Sequence, residues 1–96
     1  MKINLGRIVI AHGITNLIES ETLSKKQISD LIIKQMNCDW GETTGNDARV
    51  NSEAAKTKQG RILSAHTINK ITIWVITDFG HGEYSTTTTV LLPSDY

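Results

Sequence analysis

The chain has 96 residues, 39% hydrophobic and 21% charged, the composition of one globular domain and not of a disordered segment. Ten basic and ten acidic residues cancel. That balance argues against a protein that holds nucleic acid mainly through its phosphates, and equally against an acidic mimic of DNA.

In chain order, Ile8, Val9 and Ile10 form a β-branched run between Gly6 and His12-Gly13, which predicts a short, largely buried first strand. Ile14, Leu17 and Ile18 lie at helical spacing and predict one or two turns of helix over Ile14 to Glu19. The best-specified helix runs from Ser24 to Asn37. Ser24 and Gln27 make the S-x-x-Q capping box, Leu23 and Ile28 occupy the staple positions, and Ile28, Leu31, Ile32 and Met36 form one apolar stripe. Lys25, Lys26, Asp30 and Lys34 then face water. Asp39 to Gly45 reads as a loop, followed by a short polar helix capped by Asn46 or Asp47, carrying Val50, Ala54 and Ala55 and ended by Gly60 in the left-handed conformation.

Three β-type runs follow: Arg61 to Thr67, Ile71 to Thr77, and Tyr84 to Leu92, which Pro93 stops. Only Asn69-Lys70 and Gly80-His81-Gly82 separate them, connections too short for a parallel crossover, so an antiparallel meander is expected. The economical assembly is a single α+β domain over residues 1–96. It has a four-stranded, mainly antiparallel sheet, a C-terminal three-stranded meander, and two to three helices inserted between strands 1 and 2. The Thr86-Thr87-Thr88-Thr89 run suits a strand with one solvated face, and as an exposed edge it can pair with its own copy, with Ile68 or Phe79 reinforcing a homodimer.

Cys38 is alone, so neither an internal disulfide nor a cysteine pair for zinc is available, which suits a reducing compartment. Beside Asp39 its thiolate is disfavoured, and it reads as a half-buried structural cysteine. Met1 to Arg7 lacks the apolar region of a signal peptide, and no run of about 18 apolar residues occurs. The expectation is a soluble, cytoplasmic protein with no membrane contact.

No catalytic, cofactor or metal site is expected. His12, His66 and His81 are scattered and read as surface or turn histidines; G-x-S-x-G, G-x-G-x-x-G and G-x-x-x-x-G-K are all missing. Asp39 and Glu42 have the chemistry of an acid and base pair but no accompanying ligands for hydrolase or nuclease work. Trp40, in a turn flanked by these acids, has two readings. It either folds over the open end of helix and sheet, or anchors a protein partner with Asp39, Glu42 and Arg49 around it.

Asp39-Trp40-Gly41-Glu42, Asn46-Asp47, Asn51-x-x-Ala54, Gly60-Arg61-Ile62-Leu63-Ser64-Ala65, Trp74-Val75-Ile76-Thr77 and the block from Thr88 to Tyr96 occur in that order. With Gly6-Arg7-Ile8-Val9, they make the chain resemble a family of short bacterial plasmid and mobile-element proteins. The family carries labels such as plasmid-related protein or, misleadingly, restriction-modification subunit. The chain departs from its pattern at His66, where the family tends to have tyrosine, and at Asp78-Phe79-Gly80-His81-Gly82-Glu83, which replaces a more compact acidic turn.

The resemblance implies a mobile-element protein that binds and blocks a host defence complex, of the anti-CRISPR or anti-restriction type, its partner being a CRISPR effector or a restriction complex subunit. The expected contact residues are Asp39, Trp40, Glu42, Arg49, Phe79, His81, Glu83 and Tyr84. The alternative is a nucleic-acid-associated module of plasmid maintenance, using Lys25, Lys26, Lys34, Lys56, Lys58 and Arg61 as a basic face.

Overall fold

The computed structural model describes residues 1–80 and 85–96. In chain order the elements are β1 (Arg7–Ile10), α1 (His12–Glu19), α2 (Lys25–Met36), α3 (Gly45–Thr57), β2 (Arg61–Ile68), β3 (Ile71–Asp78) and β4 (Thr87–Leu91), with a 3-10 turn at Pro93–Asp95. The fold is α+β, with a four-stranded mixed sheet ordered β1-β4-β3-β2. No described helix is long and apolar enough to cross a membrane.

Strands β2, β3 and β4 pair antiparallel in sequence order. The β2 to β3 connection is the two-residue turn Asn69-Lys70, whose φ values of 53° and 66° match the strand twist without glycine. Asn69 further donates from Nδ2 to the Thr22 carbonyl at 3.0 Å, holding the turn against the segment before α2. β1 lies parallel to β4, which makes the sheet mixed where a mainly antiparallel one was expected. No local turn encodes this pairing: the two strands are joined through the three helices and two other strands. The threonine-rich β4 is therefore not an edge. It sits between β1 and β3, Thr86 and Thr88 buried and Thr87 and Thr89 half-buried, and it spans Thr87–Leu91 among the described residues, a shorter run than expected.

The helices depart from expectation at their ends. α1 begins at His12, two residues before the first apolar position. α2 has the expected capping box, with Gln27 N donating to Ser24 Oγ and Ser24 N to Gln27 Oε1. α3 starts at Gly45 after Thr44, not at an Asn46 or Asp47 cap, and Lys58 takes the left-handed position that ends it. Gly60, also at positive φ, belongs to the following turn.

The sheet has one helical face. Ile73, Val75 and Val90 pack there with Ile14 of α1 and Ile28 and Leu31 of α2, while Ile62 and Phe79 pack with Trp40 and with Ala54 and Ala55 of α3. Through this face runs a chain of buried polar groups. Thr88 Oγ1 donates to the Leu5 carbonyl at 2.8 Å and so accepts from Thr77 Oγ1, also at 2.8 Å. Thr77 accepts from Gln35 Nε2 at 3.1 Å, and Gln35 Oε1 accepts from Ser64 Oγ at 2.6 Å. Ser64 Oγ, its proton committed, accepts from His66 Nε2 at 3.1 Å. Gln35, Ser64, Thr77 and Thr88 are fully buried, so each group relies on its neighbours and not on water. His66 belongs to this core and is not the surface histidine expected from its isolation in sequence.

The β2 edge is covered. Asn51 of α3 donates from Nδ2 to the Leu63 carbonyl at 2.8 Å and accepts from the Leu63 amide at 3.2 Å, so one side chain takes the place of a neighbouring strand. The loop after α2 continues this cover, with Glu42 N donating to the Ala65 carbonyl at 2.7 Å and Ala65 N to Thr43 Oγ1 at 3.1 Å. Gly41 is required here: at φ +61° it lies so close to the Ala65 carbonyl and His66 Nδ1 that a Cβ would overlap both.

Replacing Gln35 by leucine keeps the volume but removes the donor to Thr77 and the acceptor for Ser64. The expected outcome is a loss of about 1–3 kcal/mol of stability, read as a lower urea midpoint at unchanged slope.

Candidate interaction surface

Because α1, α2 and α3 all pack on or beside one side of the sheet, side chains of the opposite parity belong to neither helical core. These are Leu63 and Ala65 on β2, Trp74 and Ile76 on β3, and Thr87, Thr89 and Leu91 on β4, with Arg61 and Asp78 at one end. Trp74 stands near the middle of this face. Its cross-strand neighbours are Leu91 on one side and Ala65 on the other, and the small Ala65 leaves one flank of the indole open.

The chain returns over this face after β4. Leu92 N donates to Asp95 Oδ2 at 3.0 Å, which tightens the 3-10 turn and brings Tyr96 back onto the sheet. The Tyr96 ring meets Trp74 edge to face, centroids 5.9 Å apart and planes at 73°. Arg61 donates to the Tyr96 hydroxyl at 2.7 Å, and its guanidinium carbon lies 6.0 Å from the Tyr96 ring centroid. Asp78, paired with Arg61 across the strands, has Oδ2 3.7 Å from the guanidinium. Both side chains are about half exposed, so this ion pair contributes to orientation more than to stability. Shallow depressions of about 560 and 300 Å³ flank Arg61, the first toward Val50 and Leu63, the second toward Thr87, Leu91 and Tyr96.

The residues expected to contact a partner are not brought together. Trp40 is a core residue, 7% exposed, with Nε1 donating to Ser52 Oγ at 3.2 Å, and Phe79 is buried in the same cluster. Neither presents an aromatic face to solvent. Asp39 is exposed and accepts from the Gly41 amide at 3.0 Å, Glu42 is exposed beside it, and Arg49 is exposed on α3. His81, Glu83 and Tyr84 lie outside the described residues. The six cations of the expected basic face are divided as well. Lys25, Lys26 and Lys34 belong to α2 on the helical side, Lys26 being 3.2 Å from Asp30, whereas Arg61 projects from the opposite side of the sheet.

A third depression, of about 620 Å³, lies between α2 and the β2 edge and is lined by Gln27, Ile33, Lys34, Glu42, His66 and Thr67. Of the Ser64 and His66 pair only His66 reaches the depression; the pair has the components of a nucleophile and base, but in the hydrogen-bond chain described above the imidazole donates to the hydroxyl. Ser64, fully buried, spends its proton on Gln35. Among the described residues no three His, Cys, Asp or Glu side chains gather as metal ligands. The sequence assigned Arg61 only to the basic face and gave Trp74 and Tyr96 no contact role; the signal for Trp74 was parity, its alternation with Ile73 and Val75.

Comparison with protein-family models, with curated proteins and with solved structures finds no match.

Burial, followed by the charge of Lys34, lowers the pKa of His66 below its ordinary value, against weaker opposite effects of Asp39 and Glu42. A histidine that resists protonation when folded contributes stability that is complete above the unfolded pKa of about 6.5 and is lost as pH falls below it. The wild type is therefore expected to lose stability on acidification relative to His66→Gln. Urea midpoints of both proteins between about pH 5 and pH 8 test this; a constant difference across that range overturns it.

Proposed function

We propose that the protein is a non-enzymatic inhibitor that binds a host defence complex, of the anti-CRISPR or anti-restriction type, and blocks it sterically through the open face of the sheet. One observation carries the binding reading: Tyr96 bridges Trp74, which it meets edge to face, and Arg61, which donates to its hydroxyl, on a sheet face that no described helix covers. Tryptophan, tyrosine and arginine are the residues most enriched where protein interfaces concentrate their energy, and a flat strand surface positions them rigidly. Leu63, Ala65, Val50 and Leu91 supply apolar surroundings, and Asp47, Asp78 and Glu42 a polar rim. The defence target is supported by the resemblance to mobile-element proteins. A protein partner is favoured over nucleic acid because Arg61 is already engaged by Tyr96 and Asp78, so the face offers little unpaired positive charge.

A second reading, a nucleic-acid-associated module of plasmid maintenance, draws on the same partly exposed Trp74, which can stack on an unpaired base while Arg61 and Arg7 lie toward the other end of the same sheet face. It predicts a mobility shift at low salt that disappears steeply as salt rises.

The test is capture of the tagged protein's partners from a bacterial host, with and without nuclease, read by mass spectrometry. A stoichiometric, nuclease-resistant defence subunit is expected. Trp74→Ala and Arg61→Glu should each weaken that capture by about 30-fold in Kd, equivalent to about 2 kcal/mol, while circular dichroism stays unchanged. Recovery only with intact nucleic acid would transfer the assignment to the second reading.

A further inference from the structure

The two edges of the sheet are built differently. At β2 the outward backbone groups of Leu63 and Ala65 are taken by Asn51, Glu42 and Thr43. At β1 the amides of Arg7 and Ala11 donate inward to the carbonyls of Thr86 and Val90. By the two-residue period of a strand, Arg7, Val9 and Ala11 turn their backbone groups toward β4, and Ile8 and Ile10 turn theirs outward. No described residue bonds to those outward groups. The edge is short, four residues beginning with Arg7, but it has no proline and no bulge, and Ile8 and Ile10 are 40% and 36% exposed.

We propose that β1 pairs antiparallel with β1 of a second copy, about a two-fold axis at Val9, joining two four-stranded sheets into one of eight strands. The occupant follows from the self-complementarity of the edge. With Val9 facing Val9, Ile8 of each copy lies opposite Ile10 of the other, and these are the residues whose N–H and C=O groups point outward. Each opposed pair exchanges two hydrogen bonds, so the edge is satisfied along its whole free length. Ile8 and Ile10 share a sheet face with their parallel neighbours Thr88 and Val90, so the four isoleucines of the dimer form one apolar row continuous with the helical cores. Charge does not oppose this register: Arg7 falls opposite Ala11, and no like charges face each other. A shift of one residue would set outward groups against inward ones, and a shift of two would leave half of them unpaired. The interface is short, so the association is expected to be weak and concentration-dependent.

The pairing is independent of what the open face binds, and it is tested by cross-linking. Val9 pairs with itself in a non-hydrogen-bonded position, where Cα atoms lie about 4.5 Å apart, within the range a disulfide spans. In a Cys38→Ser background, Val9→Cys is expected to give a covalent dimer on mild oxidation, its yield rising with protein concentration. Ile8→Cys, whose copies would lie diagonally at about 7–8 Å, should not link to itself. Sedimentation of the protein without cysteine substitutions should show a monomer-dimer equilibrium that Ile8→Lys with Ile10→Lys abolishes, while far-UV circular dichroism shows the variant still folded. Monomer at every concentration up to about 1 mM, a range that covers weak association, or equal linking by the two cysteine variants, overturns the proposal.

Discussion

Six groups on five segments share one directed chain of hydrogen bonds, from the His66 imidazole through Ser64, Gln35, Thr77 and Thr88 to the Leu5 carbonyl. It ties β2, α2, β3, β4 and the segment before β1 to one another. Aliphatic packing alone tolerates small slips, because one methyl resembles another. A chain of satisfied polar groups does not: shifting any strand by one residue would send its hydroxyl to the open face and strand its neighbours in the core. The direction of donation fixes the imidazole tautomer too, leaving Nδ1 as the unprotonated nitrogen beside Gly41.

The one-sided arrangement of helices follows from the same chain. Gln35 lies on the apolar stripe of α2, one turn beyond Leu31, and reaches Thr77 and Ser64 on the two strands below it. With α2 held there, α1 fills the space over β4, and α3 closes the β2 edge. The opposite face is left with the returning tail, so Ile76 and Leu91 are shielded largely by strand neighbours and by Tyr96. Because these β3 and β4 residues alternate with core residues, the exposed surface inherits its rigidity directly from the core behind it.

Local features were the legible ones. The Ser24 capping box, the apolar stripe of α2 and the Asn69-Lys70 hairpin each depend on residues within a few positions of one another, and the structure contains all three. The position of β1 was not legible, since its partner lies about eighty residues away and no turn chemistry connects them. Gln35 and His66 were passed over because polarity reads as exposure when each residue is considered alone; their burial makes sense only once Ser64 and Thr77 are seen to meet them. Of the two readings of Trp40, cover over the end of helix and sheet or partner anchor, the structure takes the first, with Ser52 and the α3 alanines enclosing it, while Trp74, given no contact role in the sequence, borders an alanine.

Asn51 gives the fold a chemical lifetime as well as an edge. Its carboxamide presents N–H to the Leu63 carbonyl and oxygen to the Leu63 amide, a division of labour that only an amide can perform. Hydrolysis to the acid, the ordinary ageing reaction of asparagine, would replace the donor with a second oxygen and set a negative charge against that carbonyl. Loss of one ammonia molecule would thus thin the cover of the β2 edge at Leu63, leaving the loop of Glu42 and Thr43 as its remaining shield.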